Sequence, residues 1–178
     1  MNIKSFNANS NYTDKIVSFI FNYEKEKNNL NILEFGVREG RSTKLFLEIC
    51  KKNGGALLSV DIDDYSNLFS DVNWKFLHTR DDNYNEISKY ITRKLDIILI
   101  DSLHEPNHVE KLIYLYWNDL SLGGSLYIDD ISWLPYTKGN WRDHKFTENI
   151  NRNTFYKILE IQNSNFDKID LTFSFSGS

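Results

Sequence analysis

Cysteine is all but absent from this chain. Its 178 residues contain one, Cys50. No intramolecular disulfide can form, and a reducing, cytoplasmic setting is expected. Cys50 falls in an apolar stripe with Leu45, Phe46 and Ile49, which reads as core rather than as a nucleophile. A basic excess is missing too. Lys and Arg number 21 against 25 Asp and Glu, a net charge of −4. That leaves no electrostatic footprint for nucleic acid, which is not expected as a partner. No apolar run approaches the roughly 18 residues of a membrane-spanning helix, so no membrane partner is expected either. The opening "MNIKSFNANSN" lacks the apolar centre of a signal peptide. Repeats, low-complexity tracts and linkers are also lacking, so residues 1–178 read as one domain.

What is present is an alternation of strand and helix patterns. Ile16, Phe19, Ile20 and Tyr23 recur at helical spacing. "NILEF" is a nearly continuous apolar run, as in a strand buried on both faces. Ser42, Leu45, Phe46, Ile49 and Cys50 mark a second helix, which "NGG" ends. "ALLSVDI", "WKFLH" and "LDIILID" supply three more strands, with a helix around Ile87 and Ile91 before the last. Pro106 suits a helix's first turn, and Val109, Leu112, Ile113, Tyr116 and Leu120 continue that helix. "GGSLYID" is a fifth strand. Residues 131–148 read as irregular and aromatic, followed by a helix over 150–161. Ile169, Leu171, Phe173 and Phe175 alternate like a strand with one buried face. Strands separated by helices predict a doubly wound α/β domain, a Rossmann-like and mostly parallel sheet flanked by helices. Such sheets take ligands beyond the carboxyl ends of their strands.

Those ends are acidic. The first runs Glu34-Phe35-Gly36 and turns through Gly40. The second ends in Asp61, with Asp63 and Asp64 behind it. The third ends near Thr79-Arg80-Asp81, the fourth in Asp101 with His104 three residues on, the fifth in Asp129-Asp130. A lone Asp after a strand is most often a turn former. Five acidic ends on one edge repel one another and call for a cation or hydrogen-bond donors.

A dinucleotide loop would read G-x-G-x-x-G. Here Gly36-Val-Arg-Glu-Gly40 has Arg38 at the middle position. Glu34 and Glu39 flank the turn and oppose a pyrophosphate. A positively charged nucleoside without phosphate suits it better. S-adenosylmethionine carries a sulfonium, an ammonium and a ribose diol, and Asp61 is placed to accept both ribose hydroxyls.

"LEFGVREGRS" resembles the first motif of class I S-adenosylmethionine-dependent methyltransferases, in the form of their catechol and macrocin O-methyltransferase-like branch. "SVDID" resembles their second motif, and "ILIDSLH" and "GGSLYIDD" their fourth and fifth strand segments. The likeness covers roughly residues 31–131. It implies that Gly36, Gly40 and Ser42 shape the methionine pocket with Glu34, that Asp61 holds the ribose, and that Arg80 and Asp81 lie near the adenine. It also implies Mg²⁺ or another divalent cation on Asp101, Asp129 and Asp130. Oxygen ligands suit that hard ion, and coordination would acidify and orient a substrate hydroxyl. The catechol-type pattern often has Asn where this chain has Asp130, and has a lysine base where this chain has His104. A histidine beside Asp101 can serve as a base near neutral pH. With a sheet of seven strands in the family, the C-terminal part reads as trimmed.

Trp133, Tyr136 and Trp141, with Lys138, Arg142, His144 and Lys145, fall in the segment after the fifth strand, where a loop over the site belongs. The expected substrate is a small molecule bearing a hydroxyl. A metal-independent methyltransferase acting on nitrogen or another acceptor remains open, as does a non-catalytic nucleoside-binding module. Assembly into a homo-oligomer is also left open.

Overall fold

The computed structural model describes residues 19–131, 133, 144–165 and 169–170. Residues 19–24 are helical (α1). Then follow β1 (Leu30–Phe35), α2 (Arg41–Asn53), β2 (Gly55–Asp61), β3 (Trp74–His78), α3 (Tyr84–Ile87), β4 (Leu95–Ile100), α4 (Pro106–Tyr116), β5 (Leu120–Ile128) and α5 (His144–Asn163). The strands form one sheet in the order β3-β2-β1-β4-β5, and every neighbouring pair is parallel. The expected doubly wound Rossmann-like fold is the one observed.

The continuous apolar runs have a direct cause. Ile32, Leu57 and Ile97 face one core with α1 and α2, through Ile20, Phe21, Leu45, Phe46 and Ile49. Leu33, Leu58 and Ile98 face the other, with Ile87, Val109, Leu112, Tyr116 and Ile161. Successive side chains of a strand point to opposite faces, so a central strand covered on both must be apolar throughout. Each such side chain contributes about 1.5–3 kcal/mol on burial. Cys50 is 1% exposed in the first core. Burial, aided by the charge of Asp71, pushes its thiol up to about 11, so it is inert, as a core residue should be.

Three boundaries differ from expectation. The helix from Pro106 ends at Tyr116, a 3₁₀ turn covers Trp117–Asp119, and Leu120 opens β5. β5 is therefore longer than "GGSLYID", because the chain stays extended through an irregularity that pairs Leu95 with Leu120 but Ile97 with Ser125. Leu122, in the added stretch, is fully exposed, and Gly123 beside it has φ 76°. The last helix begins at His144, not near residue 150. Its first turn carries no buried apolar face, so helical periodicity is silent there. In α1, Ile20 and Phe21 point inward while Tyr23 is 66% exposed. Glu24 takes the buried place, accepting hydrogen bonds from Ser125 and Tyr127 on β5 and pairing with Lys27. Of the alternating C-terminal segment, Ile169 and Asp170 have no regular structure, and Leu171, Phe173 and Phe175 lie outside the described residues.

The register aligns the carboxyl ends of the central strands. Phe35 pairs with Ile100, and Ile100 with Ile128. One rung further, Asp101 N donates to Phe35 O at 2.9 Å and Asp129 N to Ile100 O at 3.0 Å. Gly36, Asp101 and Asp129 thus leave the sheet side by side.

Candidate functional site

The turn after β1 is shaped by contact with β4. Gly36 has φ 91°, and a Cβ there would stand 1.9 Å from the carbonyl oxygen of Asp101. Only glycine fits. Arg38 takes φ 46°, and Gly40, at φ 71°, opens α2 against Leu68 and Phe69. The backbone amides of this turn already face a carboxylate. Asp61 Oδ2 accepts from Val37 N at 2.7 Å and from Arg38 N at 3.4 Å, and its Oδ1 accepts from Asp63 N at 3.0 Å. A pyrophosphate would have to compete with that fixed negative charge, so the turn suits an uncharged or cationic ligand group.

Behind the turn lies Glu34, fully buried on β1. Its Oε2 accepts from Thr43 Oγ1 at 2.8 Å and from Ser59 Oγ at 2.6 Å. Ser59 in turn accepts from Trp74 Nε1 at 3.0 Å. An indole nitrogen only donates, so the serine proton must point at Glu34. Oε1 is buried without a well-formed hydrogen-bond partner, although the Ser42 hydroxyl is near enough to act on the carboxyl. Burial raises the Glu34 carboxyl to about 7, against the opposing pull of the Ser42, Ser59 and Thr43 hydroxyls. A buried acid with one orphaned oxygen is a natural receptor for an ammonium group or an ordered water. Ser42, buried in the first turn of α2, belongs to the same cluster.

The two residues expected near adenine part company. Asp81 is 8% exposed and its Oδ2 accepts from Ser102 Oγ at 2.5 Å and pairs with His108 Nε2 at 2.9 Å. Tyr116 Oη donates to its backbone carbonyl at 2.8 Å. Asp81 is thereby tied to the residue next to Asp101. Arg80 instead points outward and forks onto Asp82 at 2.9 and 3.2 Å. The fold does not bring its side chain to the others.

Beyond β4 and β5, Asp101, His104, Asp129 and Asp130 converge. His104 Nε2 lies 3.8 Å from Asp101 Oδ1 and 3.6 Å from Asp130 Oδ2. Asp130 adopts φ 51°, and its amide donates to Asp129 Oδ1 at 2.8 Å. Burial raises Asp101 to about 8, with the charges of Asp129 and Asp130 adding to it. Burial and Asp130 likewise raise Asp129 to about 7. Burial lowers His104, although Asp130 and the Asp129 backbone oppose this. The acids are therefore crowded and short of positive charge. Their oxygen donors fit a hard divalent cation. Among the described residues, however, no group of three or more His, Cys, Asp or Glu is already arranged to hold a metal ion. His104 itself stands between two of the carboxylates.

Several residues escaped sequence reasoning. Thr43 and Ser59 hold Glu34, and the only hint was one serine inside the apolar "ALLSVDI". Ser102 holds Asp81, and so does His108, which its position one helical turn after His104 makes only a weaker candidate for the base. Thr154 on α5 donates to the carbonyl of His104 at 2.8 Å, from 50 positions away. Of the aromatic segment, Trp133 packs edge-on against Phe155 at 4.8 Å, with the Arg152 guanidinium 5.9 Å from its ring. Tyr136, Lys138, Trp141 and Arg142 lie outside the described residues, as does the His144 side chain. No described helix is long and apolar enough to cross a membrane.

The comparisons agree with this architecture. MycE, a methyltransferase from the mycinamycin biosynthetic pathway solved with Mg and SAH, superposes with a TM-score of 0.65 at 16% identity, over 97% of this chain and 46% of its own. The chain thus spans about half the length of MycE. The SAH-bound methyltransferase PaMTH1 of Podospora anserina gives 0.67 at 13% identity, over 90% of this chain and 76% of its own. A putative caffeoyl-CoA O-methyltransferase from Staphylococcus aureus gives 0.63 at 13% identity, over 93% and 84%. At such identities the likeness is one of fold. No curated protein matches in sequence. The model of a methyltransferase domain family, by contrast, matches residues 33–131, more than half of the chain. It runs from the Glu34 strand through the Asp129-Asp130 end, and the chain belongs to that methyltransferase-domain family, in the class I S-adenosylmethionine-dependent group that its motifs resemble.

Proposed function

We propose that this chain is an S-adenosylmethionine-dependent methyltransferase that methylates a hydroxyl of a small molecule, with a divalent cation such as Mg²⁺ at the acceptor side. The observation that carries the reading is the convergence of Asp101, His104 and Asp130 at the edge where the Gly36 turn meets β4.

S-adenosylmethionine supplies an electrophilic methyl group on a sulfonium. Glu34, with its orphaned Oε1, and Ser42 offer acceptors for the methionine end. Asp61 offers a carboxylate to the ribose hydroxyls at the price of loosening its hold on Val37 N. Asp81, fixed by Ser102 and His108, borders the adenine side. Asp101, Asp129 and Asp130 would hold the cation, which supplies a more acidic, oriented acceptor hydroxyl. Burial lowers the His104 pKa, which favours the neutral ring a base needs. With its proton on Nδ1, Nε2 is free to take the acceptor's proton.

Calorimetric titration with S-adenosylhomocysteine, with and without Mg²⁺, tests the binding half. Transfer of labelled methyl from S-adenosylmethionine to a panel of vicinal diols and sugar hydroxyls tests the rest. Turnover abolished by a chelator and restored by Mg²⁺ is expected. A second reading, metal-independent transfer to nitrogen or another acceptor, is favoured by the lack of a ready-made three-ligand group among the described residues. Turnover indifferent to chelator would select it.

A further inference from the structure

The imidazole of His104 has few anchors of its own beyond the pull of the Asp129 backbone. Its Nε2 contacts, at 3.8 and 3.6 Å, are too long for hydrogen bonds, and Nδ1 has no well-formed partner. Where its own backbone is held therefore matters to the place of the ring. The segment Asp101–His104 is pinned at its start, where Asp101 N joins the β1 ladder and Ser102 Oγ donates to Asp81. Leu103 in its middle is 47% exposed and adds no packing anchor. At its end stands Thr154.

Thr154 is 1% exposed on the face of α5 that also buries Asn151, Ile158 and Ile161. A helical threonine ordinarily donates to a carbonyl of its own preceding turn. This one reaches across to His104 O at 2.8 Å. Valine has the same shape and would fill the same space, so packing alone does not call for a hydroxyl here. We infer that Thr154 is a positioning residue, a tether from α5 that sets where the His104 ring stands between Asp101 and Asp130. The inference deepens the proposed function, since it gives the acceptor-side base a fixed position. It also explains how a helix remote in sequence belongs to the site.

Three variants test it: Thr154→Val, which keeps the shape, Thr154→Ser, which keeps the donor, and His104→Ala, which assigns the resonance. The readout is the His104 Cε1–H signal in proton–carbon spectra of the ligand-free protein at one fixed pH, together with the melting temperature. Thr154→Val is expected to shift or split the His104 signal while those of His78 and His108 stay put, and Thr154→Ser is expected to restore it. An unmoved signal in a folded Thr154→Val would overturn the tether. So would an equal displacement in Thr154→Ser, because shape and not the hydroxyl would then be responsible. If Thr154→Val does not fold, Thr154→Ser still decides, since a displaced His104 signal in it overturns the tether and a parental one upholds it. If His104→Ala keeps full methyl transfer while the tether behaves as described, it is the base assignment that fails.

Discussion

Replacing Glu34 by glutamine changes the pH dependence of stability in a way that can be worked through. The Glu34 carboxyl rises from 4.5 to about 7 in the folded protein, chiefly because it is fully buried. That difference corresponds to about 3 kcal/mol. The sign follows from which state holds the proton more tightly. Below pH 4.5 the carboxyl is protonated in both states and the full margin is present. As pH climbs through about 7, the folded protein must ionise a buried group and the margin is lost. Glutamine cannot ionise. Its carbonyl still accepts from Thr43 and Ser59, but its amide occupies the Oε1 site, where the Ser42 hydroxyl is near yet makes no well-formed hydrogen bond. That deficit costs about 1–3 kcal/mol at every pH. The acid proton of the parent meets that same site at low pH, so the expected difference is in slope: the parent should lose about 3 kcal/mol relative to the variant on the way to pH ~8. For a chain of this size that is a relative change in melting temperature of about 6–12 °C. Denaturant titrations of the two ligand-free proteins, run side by side across this range, measure it directly, and the other titrating acids cancel in the difference. Parallel stability curves would refute the account of Glu34 as a buried acid near neutrality. Saturating S-adenosylhomocysteine should shrink the tilt, because an ammonium near Oε1 would hold the carboxylate ionised.

Other consequences are as concrete. Gly36→Ala places a Cβ 1.9 Å from Asp101 O at φ 91°; backbone strain alone costs about 1–3 kcal/mol, and a melting temperature equal to the parent's would mean that the turn is not as tight as described. Asp61→Ala should stay folded and lose about 10- to 100-fold in S-adenosylhomocysteine affinity by calorimetry, the worth of hydrogen bonds to a charged group; unchanged affinity would remove Asp61 from the ribose site. Arg80→Ala, which breaks only an exposed ion pair with Asp82, should change that affinity by less than about fivefold, and a greater loss would return Arg80 to the adenine pocket. His104→Ala should lower turnover and flatten the acid limb of the pH–rate profile, whereas a profile matching the parent would assign the base elsewhere.

The sequence by itself determined the fold class and the acidic edge where the strands end. Apolar strands such as "LNILEF" and "LDIILI" must be covered on both faces, and that alone requires helices on either side of a parallel sheet. Gly36 announced a close approach because no other residue tolerates φ 91° against a neighbouring carbonyl. Asp61, Asp101, Asp129 and Asp130 were legible because strand ends are fixed by local pattern, and parallel pairing then brings those ends together. Tertiary structure alone decided the partners. Glu34 meets Ser59 only because β1 and β2 pair in that register. Arg80 turns to Asp82 and not to the site, because a neighbouring carboxylate captures a flexible exposed guanidinium. The carbonyl of His104 meets a threonine 50 residues away, because α5 packs against α4 and so comes beside the loop that follows β4. Periodicity reports which face of an element is buried, but it carries no record of which distant hydroxyl that face will meet.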